Sequence, residues 1–164
     1  MPPQPQLWYM DRGFVVLPGQ GRLLELGNFQ AVVLAAGGHT SGDLTVLQTQ
    51  NEPPGFGPPL HRHRDAAEAF FVLEGEYLMF LDDEQHRCPQ GSFVYVPRNL
   101  PHTFKVSSDG PGRKLNLFTP AAMVGFFEEL AAAEEAGAAT PSVLDAIATR
   151  HNMEVLGPVP DSYL

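Results

Sequence analysis

Three side chains in the stretch GFGPPLHRHRDAAEAFFVLEG (residues 55–75) stand at a spacing that can do chemistry: His61, His63 and Glu68. In an extended segment alternate side chains share a face, so the two imidazoles point to one side while Arg62 points away. That pair is a natural chelate. Glu68 opens an apolar run, AFFVLEG, whose strand must enter a core, and a carboxylate there is costly unless it is paired or binds a metal. Neutral imidazoles with one carboxylate and open positions suit iron, nickel, manganese, cobalt, copper or zinc as divalent ions, and no thiolate is close by to narrow the choice. His39, His86 and His151 lack partners at ligand spacing and are expected to face solvent or be satisfied locally. Arg62 and Arg64 are read as solvated charges.

The elements that must position these groups are short strands. Gly and Pro fall every eight to twelve residues up to position 120, between runs rich in Val, Phe, Leu and Tyr, the rhythm of a sandwich or barrel. Strands are expected at 28–36, 43–50, 68–75, 76–82, 91–97, 102–108 and 114–119. The separators NEPPGFGPP, DDEQ, PRNLP and SSDGPG hold residues that fix special backbone angles or lack a ladder donor. After Thr119 the pattern becomes helical. Thr119 is placed at an N-cap with Pro120 in the first turn, and Met123, Phe126, Phe127 and Leu130 recur at helical spacing. A second Thr-Pro start, Thr140 and Pro141, leads a helix buried through Val143, Leu144 and Ile147. The helices read as a packing element or lid over an open end of the barrel, or as a dimer contact. The expected organisation is one all-β domain over 1–164, with a barrel core at about 28–119 and a helical extension at about 120–152.

Composition excludes several classes. The chain of 164 residues carries a formal charge of -9, with 10 Lys and Arg. No basic face for nucleic acid is easily assembled from so few cations. Cys88 is the single cysteine, so there is no disulfide framework. The first ten residues, MPPQPQLWYM, show neither a cationic start nor an apolar stretch, and runs such as AVVLAA are too short to span a bilayer. The expectation is a cytoplasmic protein with no membrane partner.

The flanking residues extend the site pattern into a resemblance to the cupin family. Its first motif, G(x)5HxH(x)3-4E(x)6G, is matched by Gly55, His61, His63, Glu68 and Gly75. Its second, G(x)5PxG(x)2H(x)3N, is matched by Gly91, Pro97 and His102, with Asn99 in place of a glycine and Val106 in place of the final asparagine. Asn tolerates positive φ better than other non-glycine residues, so the turn at Asn99 should survive. Val106 removes a polar group that is not a ligand in the family. The resemblance implies a double-stranded β-helix, or jelly-roll barrel, with His61, His63, Glu68 and His102 as ligands of one divalent transition metal ion. The alternation in HTFKV agrees, placing His102, Phe104 and Val106 on one face.

The strands supply many aromatic and apolar side chains, among them Phe70, Met79, Tyr95 and Phe104, and these four are expected to line the substrate pocket. An apolar pocket favours an aromatic substrate over a sugar phosphate, which would call for several inward Lys or Arg. The run through FTPAAMVGFFEELAAA to ATRHNMEVLGP is similar to single-domain bacterial quercetinase-type cupins. That likeness implies a dioxygenase that opens a flavonol with O2, Glu68 handling the proton of the 3-hydroxyl. The alternatives are a polyketide cyclase or another metal cupin enzyme that consumes no O2, and a non-catalytic cupin that binds small molecules. A homodimer is expected by analogy, with LWYM (7–10) as a possible exchanged arm.

Overall fold

The computed structural model describes residues 12–157; the LWYM segment lies outside them. Among the described residues, eleven strands and two helices follow in the order β1 (Arg22–Glu25), β2 (Gln30–Ala35), β3 (Thr45–Glu52), β4 (His61–His63), β5 (Ala67–Glu74), β6 (Glu76–Leu81), β7 (Glu84–Pro89), β8 (Phe93–Val96), β9 (His102–Val106), β10 (Gly112–Thr119), α1 (Val124–Glu135), α2 (Pro141–Arg150) and β11 (Met153–Val155). The strands form two antiparallel sheets, ordered β1-β2-β3-β10-β5-β8 and β11-β4-β9-β6-β7. From β3 onward the chain passes from one sheet to the other at every connection between strands except the β6–β7 hairpin, as in a double-stranded β-helix.

Strand alternation explains the core. In β2, Ala31, Val33 and Ala35 are buried between half-exposed neighbours, and in β3 Thr45, Leu47 and Thr49 do the same. Residues of one parity therefore fill the barrel. In β10 the pattern runs against hydrophobicity: Lys114, Asn116 and Phe118 are buried, while Leu115 and Leu117 face outward, half-exposed. Register decides this. Phe118 stands opposite Glu68 and Asn116 opposite Phe70, so the inward parity of β5 is imposed on β10.

The expected strands are present, with ends shifted by a few residues. Four others are found: β1, β4, β7 and β11. DDEQ had read as a plain separator, but only Asp82 and Asp83 make the hairpin turn, and Glu84 and Gln85 already pair with β6. Polar β7 lies at a sheet edge with most of its side chains exposed, so it lacks the apolar alternation that reveals a half-buried strand.

The two Thr-Pro signals have different outcomes. Thr140 caps α2, its hydroxyl accepting from the Val143 N–H at 3.3 Å, with Pro141 in the first turn. Thr119 instead completes β10, the Thr119–Pro120 peptide is cis, and α1 starts only at Val124 behind Met123 at φ 74. The earlier start fails because Thr119 is held by its ladder partner Ala67. Phe126 and Leu130 bury the inner face of α1, and α2 buries Leu144, Ile147 and Ala148.

Candidate metal centre

Strand β4 presents His61 and His63 to the interior and turns Arg62 outward. His102 begins β9 and lies opposite His61 in the ladder. Glu68 comes from β5, in the other sheet. The four residues between His63 and Glu68 thus carry the chain across the barrel, which is why the carboxylate follows the histidines at that interval. All four side chains are buried, and one donor atom from each lies within 4.8 Å of the others.

The turns around the site hold it in place. Asn99 adopts φ 67, as its substitution for glycine requires, and its N–H donates to the His63 carbonyl at 2.8 Å. Gly75 has φ +77, and a Cβ there would stand 2.8 Å from the Pro111 carbonyl oxygen. Val106 leaves no gap: it is core, and its backbone bonds both Phe56 and Gly55.

Hydrogen bonds fix the imidazoles. The Pro59 and Leu100 carbonyls lie 2.7 and 2.9 Å from Nδ1 of His61 and His102. A carbonyl only accepts, so both Nδ1 atoms carry the proton and both Nε2 lone pairs face the interior. His63 Nε2 lies 2.9 Å from Glu68 Oε2 but makes no aligned hydrogen bond, and both ring nitrogens of His63 are buried without a partner. His102 Nε2 is 3.0 Å from the same oxygen. A lone pair and a carboxylate face one another stably only when a proton or a metal ion lies between them. Separations near 3 Å also suit two donors that share a metal at about 2.1 Å. The donor set, the unpartnered His63 nitrogens and the spacing therefore fit a metal ion.

Electrostatics agree. Burial, reinforced by His102 and His63, pushes His61 down to about 3, which keeps it neutral and able to ligate. For Glu68 burial acts upward, but His63 and His102 overcome it and hold the carboxyl well below its usual range. His102 is raised: burial opposes its charge, and the Glu68 carboxylate outweighs that opposition.

His61, His63 and Glu68 of the cluster border a cavity with about 450 Å³ of empty space, part of it open to solvent. Phe29, Phe56, Phe104 and Phe118 wall it, and Met123, Phe126 and Phe127 of the α1 region roof it. Phe118 also packs edge-on to His63, with ring centroids 5.3 Å apart. Of the four expected pocket residues, Phe104 borders the cavity. Phe70 is buried beside it, its ring 5.9 Å from that of Phe104, and Met79 is core opposite Phe104 in the ladder; neither is among the cavity's lining residues. Tyr95 requires correction. It lies on the outer parity of β8 and is 55% exposed, near Phe93 and Phe71 on the outside of the sheet.

Two further features were missed in the sequence. Strand β11 pairs with β4, setting Met153 opposite His63, and Met153 also borders the cavity. Its Glu154 accepts from both Arg62 and Arg64 at 2.7 Å, so those arginines, read as solvated charges, tie β4 to β11. The cavity is also less apolar than expected, because Thr49, Glu52, Lys114 and Asn116 border it. No periodic signal could reveal this, since in KLNLFT the leucines imitate the inward positions. The remaining histidines are satisfied locally: His39 accepts from the Ala36 N–H at 3.2 Å, His86 pairs with Glu84 and His151 with Glu129.

Comparisons with known proteins agree with this architecture. Residues 48–118 match the family model described as Cupin domain. Over 95 residues the chain is 30% identical to quercetin 2,3-dioxygenase of Bacillus subtilis (strain 168), a match covering 58% of this chain and 28% of that enzyme. The match thus spans less than a third of the relative's length. Among solved structures, KdgF from Halomonas sp. aligns with a TM-score of 0.59 at 17% identity, over 66% of this chain and 94% of its own. The polyketide cyclase RemF from Streptomyces resistomycificus aligns with a TM-score of 0.56 at 17% identity, over 66% and 80%. Fold and site together define a double-stranded β-helix, similar over residues 48–118 to the Cupin domain model, whose buried His61, His63, Glu68 and His102 could hold a metal ion. No helix among the described residues is long and apolar enough to cross a membrane.

Proposed function

We propose that this protein is a metal-dependent dioxygenase that opens a flavonol-like aromatic with O2. The observation that carries the reading is a carboxylate held ionised among three histidines, on the wall of a cavity otherwise built largely of phenyl rings. Similarity to a quercetin dioxygenase over the barrel supports the choice of substrate class. When bound, the metal would supply Lewis acidity toward the substrate oxygen and bring O2 and substrate together.

The chain's own residues do the rest. Glu68, ionised and buried beside the site, accepts the proton of the flavonol 3-hydroxyl. The Nδ1–H bonds of His61 and His102 to fixed carbonyls hold both rings in one orientation. Phe56, Phe104 and Phe118 offer flat apolar surfaces for the rings and exclude water. Overall, both atoms of O2 enter an ester product and the heterocycle loses carbon monoxide.

The test is O2 uptake by metal-reconstituted protein with a panel of flavonols. Flavonol-dependent uptake with release of carbon monoxide is expected. Bound metal without O2 uptake contradicts the reading, and ring closure of a polyketide-like substrate without O2 would place the protein with cyclases instead.

A further inference from the structure

The cavity has a second polar pole, distinct from the histidine cluster. On the inward face of β10, Asn116 and Lys114 follow Phe118, about 7 and 14 Å along the strand at ~3.4 Å per residue. Both are at least 96% buried, as are Thr49 and Glu52. Lys114 Nζ donates to Glu52 Oε1 and Oε2 at 2.9 and 3.2 Å and to Thr49 Oγ1 at 2.9 Å. The Thr49 hydroxyl donates to Glu52 Oε1 at 2.6 Å and accepts from Asn116 Nδ2 at 3.1 Å. Tyr77 completes the carboxylate's shell, its hydroxyl donating to Glu52 Oε1 at 2.7 Å.

Counting donors and acceptors leaves one opening. All three ammonium protons are used, and the threonine hydroxyl is filled by one bond given and two accepted. Thr49 therefore orients the Asn116 amide with its nitrogen toward the threonine. Asn116 Oδ1 receives no hydrogen bond from any described residue, yet the residue borders the cavity. A buried ion pair is a poor source of stability compared with apolar packing, so its place on a cavity wall is better explained by the group it orients.

We propose that Asn116, oriented by Thr49 and the Lys114–Glu52 pair, accepts a hydroxyl of the ligand at the end away from the metal. The ligand class this selects is an aromatic molecule with chelating oxygens at one end and a hydroxyl donor at the other. The inference rests on the flavonol reading above and deepens it.

The experiment measures dissociation constants for quercetin and for 3-hydroxyflavone, which lacks every hydroxyl but the chelating one, on metal-reconstituted protein without O2. Wild-type protein should favour quercetin roughly tenfold, the effect of leaving one buried acceptor unpaired. In Asn116→Leu the ratio should fall close to one. Asn116→Ala replaces it if the leucine variant does not fold, and the ratio is read within each protein. Equal constants in the wild type, or a preference undiminished in the variant, overturn the inference. Binding of neither flavonol by wild-type protein that holds its metal overturns the flavonol reading itself, an outcome distinct from equal binding of both.

Discussion

Lys114→Met tests whether the buried pair is the coupled unit that its geometry describes. The ammonium is 99% buried, contacts both Glu52 oxygens and lies 4.1 Å above the Phe104 ring. Burial pushes the lysine down from its ordinary range, and Glu52 resists that shift. Methionine keeps most of the volume and the contact with the ring but strands the carboxylate. Removing one partner of a buried pair costs about 3–5 kcal/mol. For a chain of this size each kcal/mol moves Tm by about 2–4 °C, so Tm should fall by roughly 6–20 °C. In the double variant Lys114→Met, Glu52→Gln the amide oxygen still accepts from Tyr77 and Thr49 and no charge is stranded. It should recover about 2 kcal/mol or more relative to the single variant. The assay is urea unfolding of all four proteins of the cycle, followed by circular dichroism. A single variant that loses less than about 1 kcal/mol, or a double variant no more stable than the single one, would refute the reasoning.

Three other predictions follow from the same geometry. Glu68→Gln should retain part of its metal, measured by elemental analysis, while turnover falls by about 10²–10⁴-fold; unchanged turnover removes Glu68 from proton transfer. In metal-free protein the depressed His61 opposes folding at low pH: the unfolded chain takes up a proton near 6.5, the folded one only near 3, so stability drains as pH falls through that window. Glu68, also depressed, adds its own loss below about 4.5, while the raised His102 acts in the opposite direction. His61→Gln should therefore show a shallower decline of unfolding free energy between pH 6.5 and about 3, and an unchanged slope would contradict the assignment. Gly75→Ala forces a side chain into φ +77 against the Pro111 carbonyl and should lower stability by about 1–3 kcal/mol in the same unfolding assay.

That His61, His63, Glu68 and His102 would converge was legible from spacing and from the motif resemblance: alternate residues on β4, a crossing of fixed length to β5 and a histidine at the start of β9. Positive-φ turns were legible as well, since Gly55, Gly75, Gly91 and Asn99 occupy backbone that few other residues tolerate. The face of a strand was harder to read. Tyr95 and Phe104 are equally aromatic, yet register puts one outside and the other on the cavity wall. Lys114 and Asn116 point inward against the leucines between them, because the partners of β10 and not its own hydrophobicity choose its parity. The start of α1 was misplaced for a related reason: a Thr-Pro signal is local, and ladder pairing of Thr119 overrides it. Strand β11 is three residues long and exists through its pairing with β4, a contact between residues some 90 positions apart that no local pattern announces.

The central claim is that four buried side chains form one metal site. Elemental analysis of purified wild-type protein beside His63→Ala tests it most directly, because His63 alone has both ring nitrogens buried without a partner. About one transition metal ion per chain is expected in the wild type, falling to a small fraction in the variant. Folded wild-type protein that takes up no metal even after reconstitution, or a variant that binds as much as the wild type, would contradict the account.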